Sequence, residues 1–416
     1  MQVVAVDFES DYSDTLSIKT MGNYSYTRNT DIYLVSIVRS DGTEFVGHPA
    51  DFDWGSIAED HLWVSHNAAF DGHACFPALV EKGLVADVWP EHGWYCTADL
   101  TAFLGAPRSL AVAASFLLKK EISKDVRKKM KDRSWASMDP AFQEEVKAYA
   151  LSDSRLCLEI WVKFSDRWPE FERQLSQHTA RMATYGVAVD REHLLDGKAR
   201  MEAALAECLA LIPWGSTAKV LSRPQFDAHC ASLNLPIPKS LAKTSEEFEK
   251  WLNKYGETHK FAAAVSRYRK VNTMLSRIDA MLARCRWVGD HWRMDYSLMY
   301  YGAVTGRWSG GGGGMNMQNL RKEEIEGFEV RKAIIAPPGK KLIVCDSSQI
   351  EPRCGAVMSG DTDLIDFVKT GADLYEAHAR SSMGYAEEMP LKDYDKDHET
   401  NLRQLAKARV LGASYG

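Results

Sequence analysis

The first apolar run of the chain, Val3-Val-Ala-Val6, is short and β-branched, and it runs straight into Asp7-Phe8-Glu9. That pattern predicts a buried strand that delivers two acids to its end. Side chains two apart on a strand share a face, so Asp7 and Glu9 can act on one ligand; solubility of an edge strand is the competing explanation. A second apolar stretch, Leu62-Trp-Val64, leads into the polar corner Ser65-His-Asn-Ala-Ala-Phe-Asp71. A helix is expected from His73 to Val80, with Asp71 at its opening, where the helix dipole favours an acid. The third piece is a predicted helix over Glu144–Phe164, carrying Tyr149-Ala-Leu-Ser-Asp153. The spacing of four sets the phenol and the carboxylate on one helix face.

From Glu170 the pattern turns helical, with Phe171, Leu175, His178 and Met182 near one stripe. Tyr185-Gly-Val-Ala-Val-Asp190 interrupts it as a turn and short strand, and a second helix is expected from about His193 to Ile212. Ser222-Arg-Pro-Gln-Phe226 reads as a helix start with proline in the first turn. A long helix is expected from Phe261 to Arg286, because Val271, Leu275, Ile278 and Leu282 repeat at helical spacing. Arg267, Arg269, Lys270, Arg277, Arg284 and Arg286 surround that stripe. They suit either duplex phosphates or the soluble outer face of a bundle. The basic run Lys119–Arg133 is interleaved with acids, which favours a solvated helix or loop over a DNA-binding one.

In the last third, Lys341-Leu-Ile-Val-Cys345 predicts a buried strand that puts Asp346 at its solvent end. Glu351 and Arg353 follow closely, an arrangement that suits a hard divalent cation held against a phosphate. The final segment predicts a helix on which Arg403, Lys407, Leu411 and Tyr415 recur every four residues. They drift about 40° per step and form one slanted stripe.

Composition narrows the class without choosing the function. At 416 residues the chain is long enough for two to four domains, and 45% hydrophobic with 26% charged residues is ordinary for a soluble globular protein. A net charge of −6 gives no global attraction to nucleic acid, so any such contact must come from local basic patches. Eight scattered cysteines without a Cys-x-x-Cys pair argue against a zinc site or disulfide framework and fit a reducing cytoplasm. The N-terminus has no signal-peptide pattern, and no apolar run reaches the roughly 18 residues of a membrane span.

Taken together, Asp7-x-Glu9, Asn67-x-x-Phe-Asp71 and Tyr149-x-x-x-Asp153 resemble the DEDD exonucleases of the tyrosine subclass. These are 3′→5′ nucleases of RNase H-like fold. The resemblance implies that Asp7, Glu9, Asp71 and Asp153 bind two divalent ions, and that Tyr149 with Glu9 orients the attacking water. Further on, Thr305-Gly-Arg-Trp-Ser, Asn316-Met-Gln-Asn-Leu320 and Asp346-Ser-Ser-Gln-Ile-Glu-Pro-Arg353 resemble the DNA polymerase I family (family A), as does the last helix.

On that resemblance Asp346 is the first catalytic palm aspartate, binding both metals. Glu351 walls off the sugar 2′ position. Arg403, Lys407, Leu411 and Tyr415 meet the incoming nucleotide, and Arg307, Gln318 and Asn319 touch the primer–template. The five glycines Gly310–Gly314 let backbone approach phosphate. Three residues depart from the family pattern: Ser347 for a tyrosine, Pro352 for a leucine, and Leu411 for an aromatic residue.

The expected architecture is α/β plus α. An RNase H-like exonuclease domain occupies 1–168, a helical thumb or connecting region 169–300, and partial palm and fingers 301–416. The sequence ends within the fingers helix, before the final palm motif with its second aspartate, and no 5′-nuclease pattern precedes the exonuclease. The expectation is therefore an N-terminal portion of a phage-like or bacterial replicative polymerase with proofreading. It would act in the cytoplasm on primer–template DNA and dNTPs, with two Mg²⁺ per site and Mn²⁺ able to substitute. It would digest 3′ ends, and extend primers only with a second polypeptide. A stand-alone repair exonuclease and a non-catalytic DNA-binding subunit are the alternatives.

Overall fold

The computed structural model describes residues 2–58, 60–121, 125–215, 219–242, 245–311, 315–360, 362–371 and 373–415. Side chains at 363, 364, 368 and 413–415 fall outside the description. Part of the glycine tract (312–314) and part of the basic run (122–124) therefore lie outside the described residues. Two compact units are formed, Met1–Lys341 and Leu342–Gly416.

Alternation along β1 (Gln2–Glu9) organises the first part of the larger unit. Val4, Val6 and Phe8 are buried on one side; Ala5, Asp7 and Glu9 take the other. The sheet runs β3-β2-β1-β4-β5, with β2 Leu34–Arg39, β3 Glu44–Gly47, β4 His61–Ser65 and β5 Trp94–Cys96. β1 pairs antiparallel with β2 and parallel with β4, so it is the central strand. The edge-strand explanation for Asp7 and Glu9 is thereby excluded.

On the Val4 side an aromatic core gathers Trp54, Trp63, Phe76 and Trp94, with the rings of Trp63 and Trp94 edge-to-face at 5.0 Å. Each such fully buried side chain contributes on the order of 1.5–3 kcal/mol. The helices flanking this sheet are α1 (Ile18–Asn29), α2 (Phe76–Glu81), α3 (Thr97–Phe103), α4 (Asp125–Met130) and α5 (Pro140–Phe164). The last of these covers the Ala5 face, where Ile160 and Trp161 pack against Ala5, Val64 and Tyr95. It starts a turn earlier than its apolar periodicity suggests, because Asp139 accepts the Phe142 N–H at 3.0 Å and Pro140 occupies the first turn.

The rest of the larger unit is helical, with α6 Glu170–Tyr185, α7 Arg191–Leu211, α8 Arg223–Ser232, α9 Glu246–Tyr255 and α10 Lys260–Leu282. Leu194 and Met201 of α7 bury against Val271, Met274 and Ile278 of α10. The far ends close over an aromatic cluster of Trp214, Phe226, Phe248, Trp251 and Phe261. The expected helix to Arg286 is corrected: α10 stops at Leu282, and the chain turns into a hairpin, β7 Cys285–Val288 and β8 His291–Met294. With β6 (Val187–Ala188) these form a sheet in the order β6-β8-β7.

Several arginines from Arg267 to Arg286 are correspondingly committed within the protein. Arg284 is 2% exposed and donates to the carbonyls of Lys19 and Ala280, each at 2.7 Å. Arg286 donates to the Thr184 carbonyl at 2.7 Å. Arg267 forks onto Glu326 at 2.8 Å and reaches Glu207 at 2.8 Å. These contacts join segments of the unit. Asp295, buried beside Arg284, accepts the Tyr24 N–H of α1 at 3.5 Å. The helix is broken at Gly22 (φ +77°), where a Cβ would stand 2.6 Å from an Asp295 carboxylate oxygen.

The smaller unit contains α11 Ile350–Ser359, α12 Thr362–Lys369, α13 Leu374–Ser382, α14 Leu391–Asp397 and α15 Leu402–Tyr415. Tyr375, Ala379, Tyr385, Leu391 and Ala406 make its core. The strand expected at Lys341–Cys345 is absent. Leu342, Ile343 and Val344 have no regular structure and are 57%, 87% and 89% exposed. An apolar run becomes a strand only where a neighbour satisfies its backbone groups, and no described strand pairs with this one.

Candidate active site

The central strand ends at a cavity of about 750 Å³ lined by Asp7, Glu9, Asp71, Tyr149 and Asp153. Three local devices bring them together. The pleat of β1 puts Asp7 and Glu9 on the α5 side. The register of β2 places Ser36 opposite Asp7, and the Ser36 hydroxyl contacts the Ala150 carbonyl at 2.8 Å and the Ser154 hydroxyl at 2.6 Å. Those contacts set α5 so that the residues flanking Ala150 and Ser154 along it, Tyr149 and Asp153, reach the cavity. The Tyr149 hydroxyl is hydrogen-bonded to the Asp153 carboxylate.

Asp71 arrives differently from the sequence expectation. A short helix, Ala68–Phe70, opens into one π-type turn at Asp71–Cys75 before α2 begins. Asp71 thus sits in a wide turn, a feature common at functional sites, and not at a regular helix start. Its Oδ1 accepts the Phe8 N–H at 3.3 Å, which ties the turn to β1. Gly72 allows the approach, since a Cβ there would lie 2.4 Å from the Trp94 ring.

Burial and mutual repulsion mark the cluster electrostatically. Burial first, then Glu9, Asp71 and Asp153, push Asp7 well above the usual carboxylate range, with Arg127 opposing. Glu9 is raised to about 8 by burial, against the pull of Arg127 and with repulsion from Asp153 and Asp71. Asp71 is raised by burial to about 7, opposed by its bond from the Phe8 N–H. Burial, Asp153 and Glu9 raise the Tyr149 phenol. Gathering like charges away from water is costly unless a proton or a cation joins them.

The cluster fits divalent cations. Its donors are all oxygen, and Asp7 Oδ2 is buried without a hydrogen-bond partner in the protein. Among the described residues no three His, Cys, Asp or Glu side chains are already gathered around one point. Ions of the Mg²⁺ type take one or two carboxylates from the protein and complete their shells with water and substrate phosphate, so no such gathering is required.

Arg127 is the residue that sequence reasoning passed over. It lines the same cavity, from within the basic run read as a solvated segment. Arg108 also lines the wall, held by Asp99 at 2.7 Å, with His66 fixed between the Arg108 carbonyl (2.6 Å) and Thr97 (2.9 Å). Neither arginine has a spacing to the acids that a sequence pattern would pick out.

The other expected site residues are more dispersed. Arg307 is exposed at the turn where the Ala303 N–H meets its carbonyl at 3.0 Å. Gln318 braces the glycine-rich loop, accepting from the Gly310 N–H at 3.1 Å and donating to the Trp308 carbonyl at 3.0 Å; Asn319 beside it is exposed. In the smaller unit Asp346 and Ser347 are exposed on the irregular segment. Glu351 and the buried Pro352 lie in the first turn of α11, and Arg353 donates to the Ser348 carbonyl at 2.7 Å. Arg403 pairs with Asp373 at 2.6 Å, while Lys407 and Leu411 are half-buried along α15. Tyr415 closes that helix, its side chain outside the described residues.

Residues 197–416, just over half of the chain, match the family model for DNA polymerase family A. The chain is 35% identical over 168 residues to DNA polymerase I of Chloroflexus aurantiacus, covering 40% of this chain and 16% of that protein. It is 29% identical over 294 residues to the thermostable DNA polymerase I of Thermus aquaticus, covering 66% of this chain and 33% of that protein. The chain thus spans a third or less of these relatives. Among solved structures, the POL domain of Pol1 from M. smegmatis, in complex with DNA primer-template and dNTP, aligns with a TM-score of 0.63. That alignment has 19% identity and covers 100% of this chain and 68% of that one. The likeness is one of fold, mixed α/β with much helix.

Proposed function

Because this chain belongs to DNA polymerase family A, we propose that its N-terminal cavity is a 3′→5′ proofreading exonuclease site and that its smaller unit carries part of the nucleotide site. The reading assigns 1–168 to an RNase H-like exonuclease domain of the tyrosine subclass, 169–300 to a thumb or connecting region, and 301–416 to partial palm and fingers. The observation that carries it is the convergence of Asp7, Glu9, Asp71, Asp153 and Tyr149 on one cavity at the end of a central strand.

In this reading Asp7, Glu9, Asp71 and Asp153 hold two divalent cations, Mg²⁺ or Mn²⁺. Bound there, the cations would activate water and stabilise the leaving oxygen. The protein's own part is orientation. Tyr149, fixed by Asp153, and Glu9 hold a water in line with the scissile phosphate. Its oxygen bonds to phosphorus as the bond to the 3′-oxygen breaks. Glu9 takes the water's proton and later returns it to solvent. The 3′-oxygen leaves with a solvent proton, releasing a nucleoside 5′-monophosphate and a shortened strand. Partial burial of the carboxylates strengthens each interaction.

In the smaller unit, Arg403 and Lys407 are assigned to the incoming triphosphate, Glu351, Leu411 and Tyr415 to its sugar and base, and Asp346 to a polymerase metal. Arg307, Gln318 and Asn319 are assigned to primer–template DNA. Asp346 is the only polymerase carboxylate this reading assigns, whereas a two-ion site needs a second.

The test is a 5′-labelled primer on a longer template with the purified chain, Mg²⁺ and all four dNTPs. The primer should shorten, and Asp7→Ala or Asp153→Ala should abolish shortening. Unchanged digestion in those variants would remove the site, and primer lengthening by the chain alone would overturn the assignment of a single polymerase carboxylate.

A further inference from the structure

We propose that Arg127 is a substrate-contacting residue of the exonuclease site, gripping a non-bridging oxygen of the scissile phosphate beside Glu9 and Tyr149. The proposal rests on the nuclease reading and extends it to a residue outside the carboxylate and tyrosine motifs.

The placement of Arg127 is built into the fold. Its helix, α4, is fastened to the loop that follows β1. The Tyr12 hydroxyl donates to the Arg127 carbonyl, the Asp132 N–H donates to the Tyr12 carbonyl at 2.9 Å, and Lys131 pairs with Asp14 at 2.6 Å. Met130, 1% exposed, anchors the same helix among Tyr33, Phe142 and Val146. The loop so gripped leaves directly from Glu9, so the position of Arg127 is keyed to the carboxylates.

The other basic residues described in this run have partners elsewhere. Lys119 lies 5.7 Å from the Phe116 ring centroid, and Lys120 pairs with Glu159. Lys128 pairs with Asp125 at 3.7 Å and Lys129 with Glu145 at 3.8 Å. Arg133 stands 5.3 Å over the Phe142 ring. Arg127 instead lines the cavity, where Glu9, Tyr149, Asp7 and Tyr12 overcome the opposing effect of burial and keep its guanidinium firmly charged.

A guanidinium offers a planar fork of donors that matches phosphate, and it stays charged at any working pH. Divalent cations held by Asp7, Glu9, Asp71 and Asp153 would neutralise the carboxylates. Arg127 would meet the charge that builds on the phosphoryl oxygens, the role that preorganised donors play in phosphoryl transfer.

The test uses the full chain as Arg127→Ala and Arg127→Lys. Three quantities are measured: digestion of 5′-fluorescein-labelled dT₁₀ in Mg²⁺, anisotropy of the same oligonucleotide in Ca²⁺, and Mn²⁺ binding by titration calorimetry. For Arg127→Ala the turnover should fall by about 10²–10³-fold. Oligonucleotide binding should weaken while Mn²⁺ affinity holds, and Arg127→Lys should restore part of both losses. Tighter Mn²⁺ binding with unchanged oligonucleotide binding would overturn the proposal, making Arg127 only a counter-ion to the carboxylates. Full activity in Arg127→Ala alongside a dead Asp7→Ala would refute this role and leave the nuclease reading standing. Full activity in both would refute the nuclease reading itself.

Discussion

The hydroxyls of Ser36 and Ser154 meet at 2.6 Å across the seam between the sheet and α5. Both residues are fully buried, and each also reaches backbone: Ser36 the Ala150 carbonyl at 2.8 Å, Ser154 the Ser36 carbonyl at 3.2 Å. Since Ser36 is opposite Asp7 and Ser154 follows Asp153, this pair sets the depth at which two halves of the carboxylate cluster face each other.

Ser154→Val should therefore cost more than its surface chemistry implies. Removing one hydroxyl leaves the other buried with fewer partners, a loss of about 1–3 kcal/mol. Thermal or urea unfolding of the full chain should register it. Exonuclease turnover should fall while binding of a single-stranded oligonucleotide changes little, because the helix shifts and the cavity persists.

Tyr149→Phe removes the phenol that the proposed reading assigns to orienting water and leaves the ring in place. The expected result is a fall of about 10²-fold or more in turnover with KM for single-stranded DNA unchanged. A single-turnover digestion series checks it, and a matched rise in KM would instead place Tyr149 in substrate binding.

The raised carboxylates make a pH prediction. Glu9 goes from 4.5 to about 8, and burial likewise raises Asp71 to about 7. A carboxyl with a raised folded value holds its proton more tightly in the folded state. Its stabilising effect is complete below the unfolded value and is lost as pH rises through the folded one. In EDTA, the wild-type melting temperature relative to that of Glu9→Gln should decline from about pH 5 to about pH 9. Mg²⁺ should flatten that decline, because a bound cation replaces the lost protons.

Asp373 does several jobs in the smaller unit. It caps α13 through the Tyr375 N–H at 2.9 Å, receives Gln349 at 2.8 Å and holds Arg403 at 2.6 Å. Asp373→Ala should lower stability by about 1–2 kcal/mol, the range for a lost cap and its attached bonds. Urea unfolding measures the loss, and trypsin should cut the C-terminal helices sooner.

The sequence was most legible where period and burial agree. Val4, Val6 and Phe8 alternate with Ala5, Asp7 and Glu9, and the strand is there. Tyr149 and Asp153 share a helix face, and the helix is there. Legibility failed where a partner decides the outcome. Leu342-Ile-Val344 has the composition of a strand and no neighbour to pair with. Arg284 and Arg286 continue the helical spacing in sequence, yet a hairpin and the buried Asp295 claim that stretch. The wide turn at Asp71 follows from the close fit of Gly72 to Trp94, a contact between distant segments that periodicity does not carry. Arg127 was hidden because a charge run looks the same whether its residues face water or a cavity.

The order of the elements also sets a timetable. Within the cluster Asp7 and Glu9 are synthesised before the others, and the strands their own strand pairs with, β2 and β4, are complete by Ser65. Asp153 is made 144 residues after Glu9. At about 5–20 residues per second that is a wait of about 7–30 s. A nascent chain, or one abandoned before α5, would display half of the cluster with nothing to complete it. On the proposed reading a DNA-degrading activity is therefore withheld until the domain that confines it has been synthesised.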